Sequence, residues 1–209
     1  MPAMLRLIVN FEHPEPRKIA HAASALAKGG VIAYPTDTVY ALGCDYAERG
    51  AVEKLYRLKG MSAKQPLAFL LPDLGEIARF GVVTNSAYRL MRRLIPGPYT
   101  FVLEATREVP KNLIIEKDKR KTVGVRVVDH PVVRALLEAH RRPILSTSAV
   151  DAEGVGLGDP TEVRDRYEGG LEALVDGGYT GSDVSTVLSL IGDEVEVLRE
   201  GKGPIDILE

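Results

Sequence analysis

One turn holds more hydrogen-bonding groups than a turn needs. In Tyr34-Pro35-Thr36-Asp37-Thr38-Val39-Tyr40, an apolar run stops and a proline-initiated turn brings two hydroxyls and a carboxylate together. Closing the backbone of a turn takes only one or two polar residues. The surplus is what a strand-end loop requires to hold a small polar ligand.

Further polar clusters recur along the chain. They are the loop Lys59–Lys64, Pro96-Gly97-Pro98-Tyr99-Thr100, Gly124-Val125-Arg126, Ser146-Thr147-Ser148, Asp176-Gly177-Gly178, Ser185-Thr186-Val187 and Arg199-Glu200-Gly201. Each alone reads as turn chemistry. Together they put hydroxyls, cations and glycine turns at element ends, where an open α/β sheet gathers its ligands. The mixture suits an amino acid plus a nucleotide phosphate, with hydroxyls for the polar ends of the one and Lys or Arg for the other.

Other chemistries lack their motifs. There is no Walker-type phosphate loop and no Gly-x-Ser-x-Gly elbow. Gly154-Val155-Gly156-Leu157-Gly158 follows no strand and reads as a flexible loop rather than a dinucleotide fingerprint. Ser146 and Ser148 have no evident histidine partner. The four histidines show no metal spacing, and Cys44 is the single cysteine, so neither an intrachain disulfide nor a cysteine metal cluster can form. A reducing, cytoplasmic setting is the default.

Composition fits an ordinary soluble protein: 209 residues, 45% hydrophobic, 27% charged, net charge −2. No apolar run reaches the roughly 20 residues that span a bilayer. The charge balance excludes a global nucleic-acid signature, but Lys117, Lys119, Arg120 and Lys121 form a local basic run suited either to solvent or to RNA phosphates.

The elements that must position these clusters follow from periodicity and punctuation. A helix over 15–28 presents Ile19, Ala22, Ala23 and Leu26 and ends at Gly29-Gly30. Strands follow at 30–34 and 38–43. Asp45 with Glu48 reads as a cap for a helix over about 48–59. A strand over 67–71 precedes a short helix capped by Asp73 and a second opened by Thr84. Strands at 99–103 and 122–127 lead to a helix started by Asp129 and Pro131, then to a short strand at 143–145. Residues 151–158 read as a mobile loop, Pro160 starts a helix, and strands lie near 172–175, 185–190 and 194–198. This predicts one α/β domain over 1–209, its core at about 15–201, with a mixed parallel and antiparallel sheet.

The order and spacing of the clusters resemble the YrdC-like domain family, the synthases of threonylcarbamoyl-adenylate. The likeness runs from Gly29-Gly30 to Gly201 and is most specific at Tyr34–Thr38 with Gly43, Pro96–Thr100, Ser146–Ala149, and Asp176–Gly178 before Ser185–Val187. The resemblance implies a twisted sheet with flanking helices around a concave, positively lined cavity. It implies a reaction in which L-threonine, bicarbonate and ATP give threonylcarbamoyl-AMP and pyrophosphate, with Mg²⁺ carried on the ATP phosphates. The adenylate then serves the t6A modification of tRNA through a separate transferase. Carried over to this chain, Thr36 and Thr38 line the threonine pocket. Lys59 and Arg126 face the carboxylate and phosphates. Thr100, Ser146 and Ser148 bind substrate or nucleotide, and Arg199 sits by the adenylate; Lys59, Arg126 and Ser148 carry the catalytic role.

Two positions depart from the family's Lys-x-Arg and Ser-x-Asn hallmarks. Lys59-Gly60-Met61 has methionine for arginine, and Ser148-Ala149-Val150 has valine for asparagine. Lys64 is the nearest substitute cation. The departures resemble the YciO-like subgroup and predict reduced or altered activity. The alternative is a non-catalytic module binding double-stranded RNA, tRNA or a nucleotide. A third reading is carbamoyl-adenylate chemistry on another acceptor, as in the related domain of hydrogenase maturation factors.

Overall fold

In a computed structural model, residues 4–62, 65–117, 119–192 and 194–208 are described, Lys117 by its backbone alone. The strands are β1 (Leu5–Ile8), β2 (Ile32–Tyr34), β3 (Ala41–Asp45), β4 (Ala68–Leu70), β5 (Tyr99–Glu104), β6 (Ile115–Lys117), β7 (Arg120–Arg126), β8 (Ile144–Ser148), β9 (Ala173–Asp176), β10 (Thr186–Ser189) and β11 (Glu196–Arg199). The helices are α1 (Pro16–Ala27), α2 (Arg49–Lys59), α3 (Leu74–Phe80), α4 (Asn85–Leu94), α5 (Pro131–His140) and α6 (Pro160–Tyr167).

The strands form one sheet in the order β1-β9-β2-β3-β8-β4-β7-β5-β10-β11, with β6 beside the start of β7. The β1/β9, β2/β9, β4/β7 and β5/β10 pairs are parallel, and the rest antiparallel. The mixed sheet matches the sequence reading.

Alternation along the strands sends side chains to two cores. Val31, Ala33, Leu42 and Cys44 join the core beneath α2, α3, α4 and α6. Ile32, Tyr34 and Ala41 join the core beneath α1 and α5. The predicted caps Asp73 and Thr84 hold, their side chains accepting the Glu76 and Ala87 amides. No helix among the described residues is long and apolar enough to cross a membrane.

Four local readings need correction. Asp45 does not cap α2; it accepts the Ala47 amide at 2.9 Å and is fully buried against Arg142 and His140. His130 rather than Asp129 caps α5, its Nδ1 accepting from the Val132 amide. The loop 151–158 is fastened at both ends: the Asp151 carboxylate accepts the Glu153 and Val155 amides, and the Leu157 amide donates to Ala149. The strand expected at 143–145 runs on through Ser148, because Ser146 to Ser148 pair with β3. The hydroxyl triplet therefore lies in a strand, not after one.

Candidate functional site

β3, β4, β8, β7, β5, β10 and β11, with the turn over 36–39, line an open cavity of about 330 Å³. Its lining brings together Thr36, Thr38, Thr100, Arg126, Ser146, Ser148 and Arg199, which the sequence scatters over more than 160 positions. Thr147 and Ser185 add hydroxyls that the sequence reading did not select as site residues, and Leu67, Leu198 and Val187 supply apolar wall. The size lies at the lower end of the range for small-ligand pockets.

Arg126 ends β7 and is only 6% exposed. One of its terminal nitrogens, Nη2, donates to the Asp37 carboxylate and, at 3.0 Å, to Thr38 Oγ1. Its Nε–H is buried with no partner. Burial pulls the guanidinium pKa below its ordinary value, and the neighbouring Asp37 charge opposes that shift. A cation in the wall of a hydroxyl-lined cavity is the group that charge-assisted binding of an anion would use.

Asp37 acts through Arg126. Its second carboxylate oxygen accepts the Asp129 amide at 3.1 Å, and its backbone carbonyl accepts Lys202 Nζ. Part of the hydroxyl surplus closes the turn itself. Thr36 Oγ1 donates to the Val39 carbonyl at 2.6 Å and shares a hydrogen bond with Thr38 Oγ1 at 2.9 Å. The flanking tyrosines are supports: Tyr34 Oη bonds Ser146 Oγ at 2.8 Å, and Tyr40 Oη donates to the Gly178 carbonyl while accepting the Gly177 amide.

On the β5–β10 side, Thr100 Oγ1 and Ser185 Oγ lie 2.9 Å apart. Arg199 donates from Nε and Nη2 to the Ser185 carbonyl at 3.1 and 2.8 Å and from Nη2 to Ser185 Oγ at 3.1 Å. Burial, and secondarily repulsion from Arg126, lowers the Arg199 pKa. The two guanidiniums thus sense each other, an electrostatic cost that an anion in the cavity would relieve.

Lys59 does not line the cavity. It terminates α2 and donates to the Ser148 carbonyl at 2.8 Å, which ties it to the end of β8. Burial, with a smaller contribution from Arg166, lowers its pKa to about 8. Lys64 lies outside the described residues. Met61 and Val150 are also absent from the lining. Met61 Sδ lies 3.9 Å from the Thr147 hydroxyl, and the Val150 backbone is bonded to Tyr167 Oη. Lys119, Arg120 and Lys121 are exposed on the β6–β7 hairpin, where the Lys117 backbone pairs with Arg120; none lines the cavity.

The described lining holds hydroxyls and cations but no carboxylate, and no group of three His, Cys, Asp or Glu among the described residues could hold a metal. It does not fit a protein-held Mg²⁺, which prefers carboxylate oxygens and substrate phosphates.

Fold and site together make this a mixed-sheet α/β protein with a hydroxyl- and arginine-lined cavity. The chain belongs to the Sua5/YciO/YrdC family, whose sequence pattern, described as "Telomere recombination", matches residues 24–201. It is 40% identical over 198 residues to the uncharacterized protein YciO of Escherichia coli K12, covering 94% of this chain and 95% of that one. The crystal structure of E. coli YciO superimposes with a TM-score of 0.90, covering 97% and 98% of the two chains. The threonylcarbamoyl-AMP synthase of Pyrococcus abyssi is 32% identical over 211 residues, covering 98% of this chain and 60% of that protein. The crystal structure of P. abyssi Sua5 complexed with L-threonine matches with a TM-score of 0.89 at 30% identity, again spanning 60% of that chain.

Proposed function

We propose that the cavity forms a carbamoyl-adenylate from an amino acid, bicarbonate and ATP, with L-threonine as the acceptor. The observation that carries this reading is the pair of guanidinium side chains, Arg126 and Arg199, that line one hydroxyl-rich cavity. The synthase relative of P. abyssi and its L-threonine complex support the choice of substrate.

The chemistry needs no nucleophile from the protein. The threonine amine and bicarbonate combine to a carbamate with loss of water. A carbamate oxygen then attacks the α-phosphorus of ATP, and pyrophosphate leaves. Negative charge accumulates in both steps, and fixed cations and hydroxyls stabilise it without reorganising. Arg126 holds the anionic centre from one wall and Arg199 from the other. Ser146, Ser148, Thr100 and Thr38 supply hydroxyls to the carboxylate, carbamate and phosphate oxygens. The apolar wall formed by Leu67, Val187 and Leu198 limits water at the adenylate. Mg²⁺ enters as part of the MgATP substrate.

Purified protein with MgATP, bicarbonate and L-threonine should release pyrophosphate only when threonine is present. Absence of threonine-dependent release at any protein concentration would reject the proposal. Salt-sensitive retention of duplex RNA in that same sample would instead favour the RNA-binding alternative.

A further inference from the structure

Beyond Arg199, the chain turns back across β10 as a strap. The Gly201 amide donates to Thr186 Oγ1, which in turn donates to the Gly203 carbonyl at 2.6 Å. The Lys202 amide donates to the Val184 carbonyl at 2.8 Å, and Tyr99 Oη donates to the Pro204 carbonyl at 2.9 Å. Both flanking glycines are sterically required: a Cβ at Gly201 would lie 2.3 Å from the Val184 carbonyl oxygen, and one at Gly203 would lie 2.5 Å from the Tyr99 ring. The sequence Gly-Lys-Gly thus fixes the backbone on either side of Lys202 and sends one long cationic side chain off a rigid base.

That ammonium reaches the Asp37 backbone carbonyl, between the two lining residues Thr36 and Thr38. Its partner is a neutral dipole. No carboxylate lies within 4.0 Å of Lys202 Nζ among the described residues. Arg126 is compensated by Asp37, whereas among the described residues the hydrogen bonds of Arg199 go to the oxygens of Ser185. Among the described residues, the cavity and its rim therefore hold two cations with no carboxylate partner, Arg199 and Lys202, around one internally paired cation.

We propose that Lys202 is a further substrate-binding residue, which exchanges the Asp37 carbonyl for a phosphate oxygen when a polyphosphate chain occupies the rim of the cavity. A compact, strongly hydrated ammonium on a flexible stem suits this exchange as a point charge. Its resting position on a neutral carbonyl keeps it near the turn without cancelling its charge. The inference rests on the reading of the cavity as a nucleotide site and adds to it the residue that receives the leaving pyrophosphate.

Calorimetric titration of the full chain with inorganic tripolyphosphate, AMP and L-threonine tests it, on wild type, Lys202→Met and Lys202→Arg. Lys202→Met should weaken tripolyphosphate binding roughly tenfold at low ionic strength, with the difference shrinking at high ionic strength. AMP and L-threonine should bind Lys202→Met about as well as wild type, and Lys202→Arg should recover most of the tripolyphosphate affinity, since charge is retained. Equal weakening of all three ligands would overturn the inference, because it would assign Lys202 only to bracing the turn. Unchanged tripolyphosphate binding in Lys202→Met, or none in wild type, would overturn it as well. A wild type that binds tripolyphosphate through Lys202 yet releases no threonine-dependent pyrophosphate would retire the proposed activity and leave this inference standing.

Discussion

Replacing Asp37 by asparagine tests how the site is held. The carboxylate accepts on both oxygens, from Arg126 Nη2 and from the Asp129 amide. Asparagine offers one acceptor and one donor, so either orientation of the amide sets an NH₂ against an N–H. It also leaves the guanidinium, 6% exposed, without a counter-ion. Breaking a buried ion pair from one side costs about 3–5 kcal/mol. For a domain of this size each kcal/mol lowers the melting temperature by about 2–4 °C, giving a drop of roughly 6–20 °C. An anionic ligand supplies the missing charge, so AMP or pyrophosphate should stabilise the variant more than it stabilises wild type. Differential scanning fluorimetry with and without pyrophosphate reads both effects. A melting temperature close to wild type, or a ligand increment no larger than that of wild type, would refute the pairing as the device that holds Arg126.

The Lys59 ammonium carries a pH signature. With a folded pKa of about 8 against an ordinary 10.5, the folded state binds fewer protons than the unfolded chain between those values. Stability contributed at this position therefore rises with pH across that window and is lowest below about 8. Urea unfolding should show that rise in wild type and not in Lys59→Met; parallel pH profiles would contradict it. Gly43→Ala perturbs the support beside the cavity. The new Cβ would lie 2.6 Å from Tyr34 Oη and 2.7 Å from Ile144 Cγ2, which forces Tyr34 off Ser146. Overpacking of this kind costs about 1–3 kcal/mol, and ligand affinity should fall with stability in the same variant. A variant of full stability and unchanged L-threonine affinity would show that the Tyr34–Ser146 bond does not shape the cavity.

Local physics made much of this legible from residue types. Ile19, Ala22, Ala23 and Leu26 recur at helical spacing and are buried on α1 as read. Asp73 and Thr84 cap their helices because a short polar side chain beside a helix start has few competing partners. Asp45 has the same local signature, but Arg142, distant in sequence, claims its carboxylate beside the buried His140. The strand β1 pairs in parallel with β9, some 170 positions on, and a four-residue strand carries too little periodicity to announce that pairing. The clusters that line the cavity were visible singly, whereas the Ser185–Arg199 knot and the Lys202–Asp37 contact exist only once β10 lies beside β5 and the chain turns back. The ligand-facing role of Lys59 comes only from the family resemblance; in this structure its ammonium donates to the Ser148 carbonyl, a contact that no local sequence signal announces.

Joining of a carbamate to an α-phosphate in the cavity is tested by incubating the protein with MgATP, L-threonine and ¹³C-bicarbonate and resolving the products by mass spectrometry. The expected product is AMP-linked, contains threonine and carries the label in its carbamoyl carbon. An unlabelled threonyl-adenylate, or no threonine-containing adenylate at all, would rule the reaction out.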